Sequence, residues 1–201
     1  MAKLGLIVNP IAGMGGRVGL KGTDGLEVLA KAKELGARPV APVRAVEALR
    51  ALRDTVTELE LFTYPAEMGE DEAREAGFSP QVIGEIKSGE TTAEDTKCAA
   101  KGLLAQDVDL ILFASGDGTA RDILDAIGTE VPILGIPTGV KMFSAVFSNT
   151  PGDAGKLAAR FLGEELPVQE AEVMDVDESA FRRDRLESEL KGYAKVPYEP
   201  Q

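Results

Sequence analysis

Ser115-Gly116-Asp117-Gly118-Thr119 places one carboxylate between two glycines, directly after the apolar run Leu110-Ile111-Leu112-Phe113-Ala114. Glycines on both sides let the backbone turn tightly and let a ligand approach without Cβ atoms in the way. A helix beginning at about Thr119 would offer its free amide hydrogens to a phosphate oxygen. A carboxylate at that point can accept a proton from a hydroxyl nucleophile, or reach Mg²⁺ directly or through water. The same five residues also read as a plain Asp-Gly turn followed by an N-cap.

Two further glycine segments follow apolar runs. Asn9-Pro10-Ile11-Ala12-Gly13-Met14-Gly15-Gly16 comes after Lys3–Val8. The amides of Gly13, Gly15 and Gly16 can form an anion-binding nest, and Asn9 offers both a donor and an acceptor. The segment is not a Walker A loop, which needs Gly-Lys-Ser/Thr, and it lacks the dinucleotide fingerprint that opens a helix at once. Arg17 and Lys21 either neutralise phosphate or face water. The third segment, Gly135-Ile136-Pro137-Thr138-Gly139-Val140-Lys141-Met142, offers Gly139 and Lys141 to a phosphoryl group, with Ser144 at the same rim. Thr92 reads either as a helix cap, with Glu94 or Asp95 in capping-box style, or as one more ligand group.

The elements that must position these residues alternate. Lys3–Val8, Leu59–Phe62, Leu110–Ala114 and Val131–Gly135 read as strands, and Gln81–Ile86 as a weaker one. Helices are expected over 26–36, 42–53, 67–76, 92–106 and 151–162, with another following Asp117. Continuous rather than alternating apolar runs suit strands covered on both faces, so the fold class is α/β: an open, mostly parallel, Rossmann-like sheet with helices on both sides. Its parallel strands would gather the three glycine segments along one edge. Residues 1–165 form this α/β nucleotide-binding domain. Residues 166–201 read as strands over 169–177 and 186–196, the incomplete start of a β-rich second domain, and favour a fragment of a longer protein over a hairpin leaning on the core.

Composition narrows the chemistry. The chain has 201 residues, 34 acidic and 22 basic side chains and a formal charge of −12. That charge opposes nucleic acid and anionic membranes as partners. With no histidine and a single cysteine, histidine catalysis, histidine-ligated metals and an intrachain disulfide are excluded. Cys98 reads as a core or helix-face residue. No signal peptide or long apolar run is visible, so a cytoplasmic location is expected.

Together, Asn9-Pro10-x-Ala12-Gly13, Gly116-Asp117-Gly118-Thr119 and Gly135-Ile136-Pro137-x-Gly139 resemble the ATP-NAD kinase superfamily. Within it, the closer likeness is to the predicted polyphosphate/ATP-dependent NAD kinase (AcoX-like) branch. Diacylglycerol and sphingosine kinases, and more distantly phosphofructokinases, share the Gly-Gly-Asp-Gly theme. The resemblance implies a kinase that moves a phosphoryl group from ATP or polyphosphate, with Mg²⁺, to the 2′-hydroxyl of NAD, giving NADP. It implies Asp117 as the catalytic aspartate, Gly116, Gly118 and Thr119 at the phosphates or the ribose, and a homodimer or homotetramer. The family's Asn-Glu pair, which helps hold the dinucleotide, falls on Asp177 and Glu178, with aspartate where the family has asparagine. Ser115 stands where the family has its first glycine, so its Cβ restricts the turn or its hydroxyl binds phosphate. Two other readings are a small-molecule or lipid kinase using the same donor site, and a regulatory protein that binds nucleotide without turnover.

Overall fold

A computed structural model of the chain describes residues 1–14, 30–31, 34–56, 58–139, 142–164, 166–176 and 188–200. In chain order its elements are β1 (Ala2–Val8), α1 (Ala41–Arg53), β2 (Leu59–Thr63), a 3₁₀ turn (Ala66–Met68), α2 (Glu70–Glu75), β3 (Gln81–Val82), α3 (Ala93–Leu104), β4 (Leu110–Ser115), α4 (Asp117–Ile127), β5 (Ile133–Pro137), α5 (Pro151–Gly163), β6 (Val168–Val176) and β7 (Ser188–Pro197).

The apolar runs of β1 and β4 bury alternate side chains on opposite faces of one sheet. Leu4, Leu6, Val8, Leu112 and Ala114 pack with α1 and α5, including Leu49, Leu52 and Ala158. Ile7, Ile111 and Phe113 pack with Leu103 of α3 and Ile123 of α4. Burial on both sides is why these strands show no polar alternation. The five strands run parallel in the order β3-β2-β1-β4-β5. From β1 the chain builds outward through β2 to β3, then returns to place β4 on the other side of β1. The loops leaving β1 and β4 therefore diverge and open a crevice at their C-terminal ends, where open α/β sheets bind ligands.

Several boundaries differ from the sequence expectation. The helix after the Gly-Asp-Gly turn starts at Asp117 rather than Thr119, because Gly116 is extended and already acts as the N-cap. The segment expected as one helix over 67–76 is divided at Gly69 into the 3₁₀ turn and α2. Only Gln81 and Val82 pair in β3, since the chain turns at Gly84. The last strand of the sheet runs 133–137 instead of 131–135. Pro132 has no N–H to give a ladder, although its carbonyl accepts from Ile111 N at 3.0 Å. The helix expected over 26–36 lies mostly outside the described residues.

β6 and β7 form an antiparallel hairpin. Its inward residues Ala171, Val173, Ala194 and Val196 join the same apolar cluster as Ile123 and Phe113. Among the described residues, no helix is long and apolar enough to cross a membrane.

One buried group works against the fold. Glu72 of α2 is 4% exposed, and its Oε2 has no hydrogen-bond partner among the described residues. Burial, reinforced by the negative charges of Asp71, Glu67 and Glu75, pushes its carboxyl up to about 7. The folded chain then holds this proton more tightly than the unfolded chain, so stability falls as pH rises from about 4.5 to about 7 and levels off above that. Removing the charge with Glu72→Gln should leave stability nearly unchanged at pH 4.5 and raise it at pH 8 by on the order of 3 kcal/mol. Denaturant titrations at the two pH values check this, and an equal effect at both would refute it.

Candidate active site

Asn9 and the Ser115–Thr119 turn sit on the two loops that flank the crevice. Asn9 follows β1 and is anchored by its own N–H, which donates to Ala114 O of β4 at 3.1 Å. Its side chain is used at both ends. Oδ1 accepts from Ile11 N at 3.2 Å, closing an Asx turn. Nδ2 donates across the crevice to Thr119 Oγ1 at 3.2 Å. Thr119 also accepts from Ser115 Oγ at 2.5 Å. Ser115, Thr119 and Asn9 thus form one hydrogen-bonded chain that ties the end of β4 to the loop after β1. Both hydroxyl residues are buried, Ser115 at 1% exposure. In this arrangement the serine Cβ is accommodated, and its hydroxyl is spent on the turn.

Asp117 is the first residue of α4, where a helix's unpaired amides and dipole favour negative charge. Its carboxylate is held from the far side. Ser144 N donates to Oδ1 at 2.7 Å, and Phe143 N is shared between Oδ1 and Oδ2 at 3.2 and 3.1 Å. Oδ1 is therefore the better satisfied oxygen and Oδ2 the freer one.

The loop after β5 meets the loop after β1 directly. Gly13 has φ +78°, and a Cβ there would lie 2.4 Å from Thr138 O, so only glycine fits. Thr138 is 6% exposed and its hydroxyl has no partner among the described residues. Sequence reading passed over this threonine. The only signal for it was its place between Pro137 and Gly139. An orphaned buried hydroxyl costs about 1–3 kcal/mol, so its presence beside the crevice is notable. The structure thus gathers Asn9, Gly13, Ser115, Gly116, Asp117, Gly118, Thr119 and the Thr138-Gly139 turn at one sheet edge. Thr92 is used otherwise: it caps α3, its N–H and hydroxyl donating to Asp95 Oδ2 at 2.7 and 2.9 Å, and no hydrogen bond joins it to this group among the described residues. Gly15, Gly16, Arg17, Lys21, Lys141, Asp177 and Glu178 lie outside the described residues. Cys98 is exposed on α3, a helix-face position.

The two glycines beside Asp117 differ from Gly13. Neither has positive φ. A Cβ at Gly116 would meet nothing within 4 Å, and one at Gly118 would meet only Arg121 Nη2 at 3.9 Å. Neither packing nor backbone conformation demands glycine, and Gly118 lies within a helix, where glycine costs about 1 kcal/mol relative to alanine. What the two positions share is open space above the turn, the space a bound group would fill. Gly118→Ala is expected to stabilise the fold by about 0.5–1 kcal/mol while weakening ligand binding or turnover at the site. Thermal unfolding and nucleotide titration of the same variant check both halves, and unchanged binding would make the glycine incidental.

Among the described residues, no group of three or more His, Cys, Asp or Glu side chains is placed to hold a metal ion. No curated protein and no solved structure matches the chain. A family model does match: residues 4–166 fit the ATP-NAD kinase N-terminal domain. That span runs from within β1 through α5 and contains every described residue of the crevice. The parallel sheet, the divergence of its loops between β1 and β4, and the Gly-Asp-Gly turn thus have one common source: the chain belongs to the ATP-NAD kinase family.

Proposed function

We propose that the crevice transfers a phosphoryl group from ATP or polyphosphate to the 2′-hydroxyl of NAD, giving NADP. The observation that carries this reading is the pair of glycines flanking Asp117, which the fold does not itself require. In this reading the donor phosphates lie over the Gly116-Asp117-Gly118 turn, against the unpaired amides of the first turn of α4. The orphaned hydroxyl of Thr138 supplies one more donor from the adjoining loop. Gly15, Gly16 and Lys141 are assigned to the donor phosphates, and Asp177 and Glu178 to the dinucleotide.

Asp117 acts through Oδ2. Oδ1 accepts from Ser144 N, and Phe143 N is shared between the two oxygens, which fixes the orientation of the carboxylate and leaves Oδ2 with a lone pair to spare. The acceptor hydroxyl hydrogen-bonds to Oδ2, its oxygen attacks the terminal phosphorus, and its proton passes to Oδ2. The bridging P–O bond breaks with its electron pair going to the departing diphosphate or shortened polyphosphate. Positioning and electrostatics do most of the work in such transfers. Magnesium, when bound, would neutralise phosphate charge, and with no cluster of carboxylates among the described residues its ligands would be mainly phosphate oxygens and water.

Asp117→Asn tests the assignment, because the amide oxygen can still accept from Ser144 at the Oδ1 position and the side chain keeps its size. NADP formation from NAD and ATP with Mg²⁺ is expected to fall about 10²–10⁴-fold while binding persists. Turnover near wild type would remove Asp117 from catalysis. Stoichiometric nucleotide binding with no phosphate ester formed by the wild-type chain would favour a binding protein without turnover.

A further inference from the structure

The residues that hold Asp117 are themselves held by the hairpin. Ser144 is 5% exposed and makes two contacts that point in different directions. Its N–H donates to Asp117 Oδ1 at 2.7 Å, and its Oγ accepts from Met174 N of β6 at 2.9 Å. The next residue repeats the attachment, with Ala145 N donating to Glu172 O of β6 at 2.8 Å. A second tether reaches the same strand from α4. Arg121, one helical turn after Asp117, donates to Asp175 of β6 at 2.8 Å, and its guanidinium also pairs with buried Asp122. The far end of α4 meets the hairpin as well, through an Asp125–Lys191 ion pair at 3.4 Å and Leu124 against Gly192. The face of α4 that begins with Asp117 is therefore tied to the hairpin at Arg121, Leu124 and Asp125.

From this arrangement we infer that Ser144 is a positioning residue through which the β6–β7 hairpin sets the Asp117 carboxylate. Met174 N fixes the serine hydroxyl, the fixed serine aims its amide at Oδ1, and the carboxylate is left with Oδ2 turned to the acceptor. A serine free of Met174 would let the 142–144 segment shift, and with it the donors that orient Asp117. This rests on the proposed transfer reaction, and the hairpin lies outside the residues that match the family model, 4–166.

The experiment compares Ser144→Ala, Asp175→Asn and Asp125→Asn with the wild-type chain. Ser144→Ala is expected to lower kcat by about 10–30-fold, the scale of one lost orienting hydrogen bond, with KM for NAD and ATP changed by less than about two-fold. Asp175→Asn, at a half-exposed position, should lower kcat in the same direction by about three-fold and keeps the test alive if the alanine variant does not fold. Asp125→Asn loosens the hairpin at the end remote from Asp117 and should leave kcat unchanged. In an Asp117→Asn background, Ser144→Ala should have no further effect, because its action passes through that carboxylate. Equal losses from Ser144→Ala and Asp125→Asn, or a full loss in the Asp117→Asn background, would overturn the inference. If the wild-type chain forms no NADP, the transfer reading has failed, and amide hydrogen exchange decides the coupling by itself. Faster exchange at the amides of positions 143 and 144 in Ser144→Ala, with no acceleration in Asp125→Asn, supports it, and unchanged protection refutes it.

Discussion

Three separate parts of the chain meet on one carboxylate. Asp117 belongs to the turn between β4 and α4, its hydrogen-bond donors Phe143 and Ser144 come from the segment after β5, and Ser144 is fixed in turn by β6. A buried or half-buried carboxylate needs donors, and backbone amides are donors whose position the fold itself determines. Meeting that need obliges the loop after β5 to fold back over the helix start, and obliges the hairpin to lie where Met174 can reach. The parallel sheet supplies the frame, since only strands running the same way bring the ends of β1, β4 and β5 to one edge. The Ser115–Thr119–Asn9 chain then closes the opposite side of the turn against β1.

Much of this was legible because it is written in local chemistry. β1 and β4 are continuous apolar runs, which is what burial on both faces demands, and the capping box at Thr92 and Asp95 marks the start of α3 from four consecutive residues. The convergence of three glycine segments followed from parallel topology alone. What was not legible depends on contacts distant in sequence. The register of β5 was read as ending at Gly135, an ordinary strand breaker. In the fold, Gly135 lies inside the strand because the Phe147 ring occupies the place of its missing Cβ, 2.3 Å from where that atom would be. Likewise, nothing in the local sequence announces that Ser144 bridges Asp117 to Met174, thirty residues apart from it in one case and twenty-seven in the other. Ser115 shows the opposite limit. Its departure from a glycine pattern was visible, yet whether its hydroxyl turned inward or outward depended on Thr119 being one helical turn away.

The acidity of the chain bears on how the proposed site would bind phosphate. A protein with net charge −12 repels polyanions at long range. Arg121, the cation nearest the turn in sequence among the described residues, is already matched by Asp122 and Asp175. Among the described residues, the donors left at the crevice are therefore uncharged: helix-start amides, a buried threonine hydroxyl and the amides of glycine turns, with Lys141 the cation proposed to join them. Neutral donors of this kind bind phosphate through fixed dipoles rather than net charge, and their geometry depends on rigid backbone. Such a site discriminates by shape, and it has reason to be anchored on every side.

That anchoring also explains where the chain accepts instability. Gly118 sits in a helix that alanine would favour, Thr138 buries an unpaired hydroxyl, and both lie at the crevice. Each is unfavourable for the fold taken by itself. Glu72, also buried and unpaired, lies on α2 beyond the β2 end of the sheet and has no such account from the crevice. The distinction is physical: the first two lie on segments that meet beside Asp117, while the third has one unpaired carboxylate oxygen among the like charges of Asp71, Glu67 and Glu75. A fold can tolerate a defect of the third kind as a loss of a few kcal/mol. The first two lie on the segments around one oriented carboxylate, where the proposed transfer would place the donor phosphates.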